Sequence, residues 1–508
     1  MVYARTATKL AVAAVAAGFI VLTVSSPARL NAQAEPSTAE YPMLLTAERA
    51  LALVQAADDD LDYVPGEVLV KFKDGVSVAG QQRALRALRS RPSPSDLRWV
   101  GDVALWTDLT ERDATILAAQ LREQPEVAYA EPNALYRLTL TPNDPGFGPR
   151  QWNLSAIDMP RAWDINPGGN NTITVAVIDS GITTIARSFV FQTWNGRATQ
   201  NVTVPFGVSP DFAAKRLINP RDFVFWTGPV VDMDGHGTHV ASTIGEDTNN
   251  AVAGAGIAYG VNVMPLKVCV GYWEVQFAMS ASGYRGYVPQ DSGGCAESEI
   301  AEAIRYAADS GAKVINLSLG GPTPSTTLRD ALAYAVARGA FVAIAMGNAY
   351  EDGNPVEYPA AYAKDIEGAM SVGAVGPSLA RAYYSSTGPH IEISAPGGTV
   401  REGGASGLIW QATILPTDSD PARIILPRFD RYAEVALQGT SMASPHVAGV
   451  AALITSQGVD DPAAVEALIK GTARFLGMPN PSTPARNQEY GYGLVQPRAA
   501  LRGYGVAR

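Results

Sequence analysis

Three short segments of this 508-residue chain carry side chains suited to nucleophilic catalysis. Ser441 lies in Gly439-Thr440-Ser441-Met442-Ala443-Ser444-Pro445-His446, at the expected mouth of a helix with Pro445 in its first turn. A helix N-terminus offers backbone N–H donors and positive potential, which suit a serine whose attack on a carbonyl creates an oxyanion. His236 lies in Asp234-Gly235-His236-Gly237-Thr238-His239, between two glycines that let backbone approach closely. Asp179 closes the apolar run of Val177-Ile178-Asp179-Ser180-Gly181. A serine hydroxyl is a weak nucleophile until a base takes its proton, and that base needs a third group to orient it. Each segment alone has a plainer reading. Asp ends many strands, and Ser caps many helices. His236 and His239 stand at i, i+3, but the glutamate of the His-Glu-x-x-His zinc motif is missing. Together, in the chain order Asp, His, Ser, they match one of the known orders of a catalytic triad.

The elements that must position these residues alternate between strand and helix. TITVAVID (172–179), VNVMPLKV (261–268), KVINLSL (313–319) and FVAIAMG (341–347) are short, nearly continuous apolar runs. Such runs fit strands buried on both faces of a parallel sheet. Amphipathic stretches at 297–311, 326–339 and 444–457 read as the helices between and after them. The expected fold class is α/β, a doubly wound parallel sheet with helices on both faces, where ligands bind beyond the carboxyl ends of the strands. Three regions break the rhythm, about 185–210, 270–296 and 398–435, and read as surface insertions. Ahead of this domain, VLVKFK (68–73), a helix over 77–90, a hairpin around Gly101-Asp102, a second helix and VAYAEPN follow the order βαββαβ, a small ferredoxin-like α+β unit.

From about Asn143 onward the chain resembles the subtilisin-like serine proteases, and all three signature segments carry the likeness. The resemblance implies an endopeptidase in which Ser441 attacks the scissile carbonyl, His236 shuttles the proton and Asp179 holds the imidazole. It makes Asn348, in Ala345-Met346-Gly347-Asn348, an oxyanion donor; without it, Asn348 reads as a turn residue after a strand. Ser318, Leu319, Gly320 and Gly321 match the edge on which an extended peptide pairs, and Glu357, just before Tyr358-Pro359-Ala360, matches the base of the S1 pocket. A carboxylate there favours Arg or Lys at P1. The alternative turns Glu357 outward to solvent. The resemblance also implies a structural calcium held by Asp144, Asp211 and Asn250 with carbonyls of Asp247, Val252 and Gly254, a set of hard oxygen ligands. It makes the βαββαβ unit an inhibitory propeptide, cut after Arg137 or near Leu140, and the enzyme a monomer acting on protein or peptide substrates. An esterase would more naturally show Gly-x-Ser-x-Gly around its nucleophile, and a relative that only binds peptides would be expected to lack a triad member.

Arg5 and Lys9, a long apolar run and Ala32-Gln33-Ala34 read as a signal peptide cut after Ala34; an uncleaved anchor is the alternative. The expected organisation is 1–34 signal, 35–140 propeptide and 141–508 catalytic domain, secreted to the periplasm or medium. No later segment is apolar and long enough to cross a membrane. A net charge of −10 without a Lys/Arg cluster argues against nucleic acid as a partner. The only two cysteines, Cys269 and Cys295, are expected to form a disulfide in an oxidising compartment. Gly491-Tyr492-Gly493-Leu494-Val495 resembles the family's closing element, so no C-terminal binding domain is expected.

Overall fold

The computed structural model describes residues 46–506, apart from 60, 109–112, 137–139, 195–196, 226–227, 285, 287, 416–426 and 478–485. The expected signal segment and Arg137 lie outside the described residues. The chain divides into two compact units at 137/138.

In the first unit, α1 (Ala47–Asp58) precedes β1 (Tyr63–Phe72), α2 (Val78–Leu85), β2 (Arg98–Val100), β3 (Val103–Thr107), α3 (Ala114–Arg122) and β4 (Val127–Ala134). From β1 onward this is the expected βαββαβ order. The strands form one antiparallel sheet, β2-β3-β1-β4. Val68, Val70 and Phe72 alternate inward and meet Leu85, Leu117 and Leu121 from the helices. Ser77 and Asp113 cap α2 and α3 by accepting backbone N–H groups. α2 ends five residues short of the expected 77–90 span, and α1 was not anticipated.

The second unit opens with three short helices, α4 (Phe147–Arg150), α5 (Trp152–Ala156) and α6 (Met159–Trp163). Then follow β5 (Thr174–Asp179), β6 (Arg187–Trp194), β7 (Thr199–Phe206), β8 (Arg221–Asp222), α7 (His236–Gly245), β9 (Asn262–Lys267), β10 (Cys269–Val270), α8 (Tyr272–Ala281), β11 (Gly294–Cys295) and α9 (Glu297–Asp309). The remainder is β12 (Val314–Leu317), α10 (Thr326–Ala337), β13 (Phe341–Ala345), β14 (Ala369–Val375), β15 (Ile393–Pro396), β16 (Ile409–Ile414), β17 (Tyr432–Leu437), α11 (Thr440–Ser456), α12 (Pro462–Thr472) and α13 (Pro497–Val506). Seven strands form the parallel sheet β15-β14-β13-β12-β5-β9-β8. Alternate residues of β5 enter different cores. Val175 and Val177 pack with α7 and α11, while Ala176 and Ile178 pack with α9 and α10. Burial on both faces explains why these strands read as continuous apolar runs. From β5 the chain first lays down the edge strand β8, then inserts β9 between β8 and β5, and next places β12 on the other side of β5. The topological switch therefore lies between the carboxyl ends of β5 and β12, at Asp179 and Ser318.

The three interruptions are not simply surface decoration. They supply the β6–β7 hairpin, the α8 segment and the β16–β17 hairpin. Val204 and Phe206, Phe277, and Ile414 and Phe429 from these segments bury one another, with Val231 and Met233, in a satellite core. Each segment is too short to bury its apolar face alone, so their mutual packing holds them. Cys269 and Cys295 are joined by a disulfide that closes the second of them, spanning 26 residues.

Candidate active site

Asp179 ends β5, His236 opens α7 and Ser441 is the second residue of α11. The sheet brings the first two into direct contact. His236 Nδ1 lies 2.7 Å from Asp179 Oδ1, which also accepts the Ser180 N–H at 2.7 Å. Asp179 is 2% exposed, whereas the His236 side chain keeps 31% of its surface open. Burial alone pushes the imidazole pKa down. The charge and hydrogen bond of Asp179, with the charges of Asp234 and Asp232, outweigh it and raise the value to about 9. His239, one turn on, is fully buried. Its Nε2 lies 3.1 Å from the carbonyls of both Ile409 and Val435, tying α7 to the β16–β17 hairpin.

Ser441 is placed by a proline-dependent network. Pro445 is the sixth residue of α11 rather than a member of its first turn, because the helix begins at Thr440. Lacking an N–H, it leaves the Ser441 carbonyl without its usual partner four residues on. Ser318 Oγ donates to that carbonyl at 2.7 Å, and Ser441 Oγ donates to the Ser318 carbonyl at 3.2 Å. Asn316 supports the pair, donating to Ser318 Oγ and accepting from Ser444 Oγ. Among the described residues, no hydrogen bond joins Ser441 to His236.

Asn348 follows β13. Its Oδ1 accepts both the Thr440 N–H (2.9 Å) and the Thr440 hydroxyl (3.0 Å), which leaves its amide N–H₂ free to donate. The Ser441 N–H, within the first turn of α11, has no partner in the helix. Asn348 and Ser441, each with such a donor, line the same cavity.

Beside Ser441 opens a cavity of about 440 Å³. Leu319 and Gly320 form one wall and Ala345, Gly347, Asn348 and Ala349 the other, and Glu357 also lines it. Gly347 has φ +109°, and a Cβ there would fall 2.2 Å from Glu357 Oε1, so the carboxylate and a side chain could not share the wall. Burial raises the Glu357 pKa, opposed by hydrogen bonds from Ser386 Oγ and the Ala349 and Asn348 backbone. Asp352 also lines the cavity. It was not anticipated, since it lies on the turn after Asn348 and no motif marks it. The backbone of Leu319 and Gly320 bonds no other segment among the described residues, while Gly321 pairs with Tyr358 in both directions.

The expected cation ligands gather in part. Asp144 accepts the N–H groups of Asn249 (2.7 Å) and Asn250 (3.1 Å), and Asn250 Nδ2 donates to Asp211 Oδ1 at 2.7 Å. Asp211 Oδ2 is buried without a partner, as is Glu246 Oε2 nearby. Burial, with the charges of Asp144 and Asp247, raises the Asp211 pKa to about 7. Asp247 was expected to contribute its carbonyl; its carboxylate bonds Arg216 and the Ala213 N–H. Val252 donates its N–H to Asn250 Oδ1, and Gly254 packs against Gln151 and Glu246. Among the described residues, no three His, Cys, Asp or Glu side chains converge as a metal centre by themselves. A cation here would need amide and backbone oxygens as well, which is the hard-oxygen donor set calcium takes.

Residues 170–493 match the model of the subtilase family, and residues 50–133 match that of the fervidolysin N-terminal prodomain. A thermophilic serine proteinase of Bacillus sp. (strain AK1) is 32% identical over 397 residues, covering 78% of this chain and 79% of that protein. Thermitase of Thermoactinomyces vulgaris is 32% identical over 319 residues, covering 63% and 86%. An extracellular protease of Xanthomonas campestris pv. campestris is 32% identical over 447 residues, covering 80% and 68%. The crystal structure of a lanthipeptide protease shares the fold, with a TM-score of 0.51 at 24% identity over 72% of this chain and 100% of that one.

Proposed function

This chain belongs to the subtilase family of serine proteases, and on that premise we propose that it is a secreted endopeptidase working through Asp179, His236 and Ser441. The observation that supports the reading is the Asp179–His236 hydrogen bond at the carboxyl end of β5, with Ser441 bonded to Ser318 just beyond the neighbouring strand β12. His236 Nε2 takes the Ser441 proton as Oγ attacks the substrate carbonyl, and an acyl-enzyme forms. The Asn348 amide and the Ser441 N–H stabilise the oxyanion. The protonated imidazole, held by Asp179, gives its proton to the leaving amine, and water then releases the acyl group by the same route. The Ser441 hydroxyl must leave the Ser318 carbonyl to engage the base, a small rotation of a kind common on substrate binding.

The open backbone of Leu319 and Gly320 supports pairing with an extended substrate. Glu357, lining the cavity beside Ser441, supports a preference for Arg or Lys at P1. The first unit, matching a prodomain model, acts as an intramolecular inhibitor released by cutting after Arg137 or near Leu140. The relative from Xanthomonas is named extracellular, which agrees with the N-terminal segment as an export signal. The enzyme works as a monomer.

Asp144, Asp211 and Asn250 would hold calcium with neighbouring carbonyls, the orphaned Asp211 Oδ2 being the strongest support. The ion would supply structural charge balance only. Chelation with EDTA should lower the unfolding temperature of the wild type and leave an Asp211→Asn variant nearly unmoved; equal responses would contradict the site.

The test of the whole reading is peptide hydrolysis by the processed enzyme and by Ser441→Ala. The wild type should turn over peptide and the variant should not. Equal inactivity of both after prodomain removal would contradict it.

A further inference from the structure

Asp232 is 0% exposed, yet none of the steps above uses it. Among the described residues its carboxylate makes no ion pair, and it accepts five hydrogen bonds. Oδ1 takes Ser180 Oγ (3.0 Å) and the N–H groups of Asp234 (3.0 Å) and Gly235 (2.9 Å). Oδ2 takes the Thr238 N–H (3.1 Å) and its hydroxyl (2.6 Å). A buried charge is tolerated only when so fully bonded. The donors come from the residues on either side of His236 and from the residue after Asp179. Ser180 Oγ closes the circuit by accepting the Gly237 N–H at 2.8 Å. Gly237 packs so closely there that a Cβ would fall 2.4 Å from the Gly181 carbonyl.

We infer that Asp232 is a positioning residue for His236: through Ser180 and the 234–238 backbone it locks the loop bearing the imidazole onto the loop bearing Asp179. This rests on His236 being the general base. The carboxylate's geometry does two things. It fixes the start of α7, so the imidazole enters at one angle and distance to Asp179. It also sets one more negative charge behind the ring. The charged groups facing His236 are then Asp179, Asp234 and Asp232, with neutral His239 on the next turn.

The test uses Asp232→Asn, Ser180→Ala and the double variant in the processed enzyme. Asn has one acceptor oxygen, so its amide N–H₂ must confront either the three donors at one end or the two at the other. Asp232→Asn should lower kcat about 10- to 100-fold with KM within about twofold. The acid limb of its kcat/KM–pH profile should move to lower pH. Ser180→Ala should lower kcat by less, and the double variant should be no worse than Asp232→Asn, because both cut one network. A merely structural Asp232 would lower the unfolding temperature while leaving kcat and the acid limb where they were, and that result overturns the inference. If Asp232→Asn does not fold, Ser180→Ala decides: an unchanged kcat in a folded protein overturns it. Ser441→Ala, run in parallel, separates this from failure of the triad itself, since activity persisting there points to a different nucleophile.

Discussion

Replacing Glu357 by Gln should change which peptides this enzyme cuts far more than how well it cuts. Glu357 is half-buried in the cavity beside Ser441, and burial raises its pKa above the ordinary 4.5. Gln keeps the shape and one oxygen, so the bonds from Ser386 Oγ and the Asn348 and Ala349 backbone survive in part and the fold is preserved. What is lost is the charge facing a bound Arg. A hydrogen bond to a charged group contributes about 1.5–3 kcal/mol. At about 1.4 kcal/mol per factor of ten, the loss is roughly 10- to 100-fold in kcat/KM for P1 Arg. For P1 Phe the same variant should be unchanged or faster, since an apolar side chain no longer buries beside a charge. Asp352→Asn should act in the same direction but more weakly, about two- to fivefold, because Asp352 is exposed and water screens it. The assay is kcat/KM on matched peptides differing only at P1. The wild-type Arg preference should also fade on acidification through a pKa above 4.5, and the variant should show no such step. An Arg-to-Phe ratio that does not change between wild type and Glu357→Gln refutes the reasoning and leaves the protease assignment intact.

Three further outcomes follow from the site and its surroundings. Asn348→Ala should lower kcat about 10²–10³-fold with KM little changed, a magnitude taken from this same enzyme family, and a loss in KM alone would move Asn348 out of the oxyanion site. Because His236 must be neutral to act as a base and its pKa is raised to about 9, kcat/KM should climb with pH with a midpoint above 6.5; a midpoint at 6 or below would contradict the charge environment described. His446 is buried, bonded by Nδ1 to the Met442 carbonyl and by Nε2 to Asn153, and burial lowers its pKa to about 4. The unfolded chain binds the proton first, so stability is lost as pH falls from about 6.5 towards 4. The loss is about 3 kcal/mol at full titration, and chemical denaturation of His446→Gln should show a pH dependence flatter by that amount.

The chemistry was legible because few residue types can perform it and each sat beside glycines or at the end of an apolar run. Asp179, His236, Ser441 and Asn348 all lie at ends of elements that the apolar pattern already marked, and the parallel sheet follows from strands buried on both faces. Glu357 came from its place before Tyr358-Pro359-Ala360, but the direction of its side chain did not. That depends on Gly347 leaving room, a contact between segments ten residues apart. Asp352 and Asp232 carried no motif at all; their roles come from what folds against them. The insertions were mistaken for surface because each is apolar only in fragments. Val204, Phe277 and Ile414 become core only when three separated segments meet. α1 was missed because the stripe it buries is made of the small residues Ala52 and Ala56, while the large apolar Leu51 and Val54 stay more than half exposed.

The most direct measurement is covalent labelling of the processed enzyme by a fluorophosphonate, with the modified residue located by mass spectrometry. One label per chain should appear, on Ser441, absent in Ser441→Ala and formed far more slowly in His236→Ala. Label on another residue, or equal labelling of Ser441→Ala, would contradict Ser441 as the nucleophile and with it the catalytic assembly described.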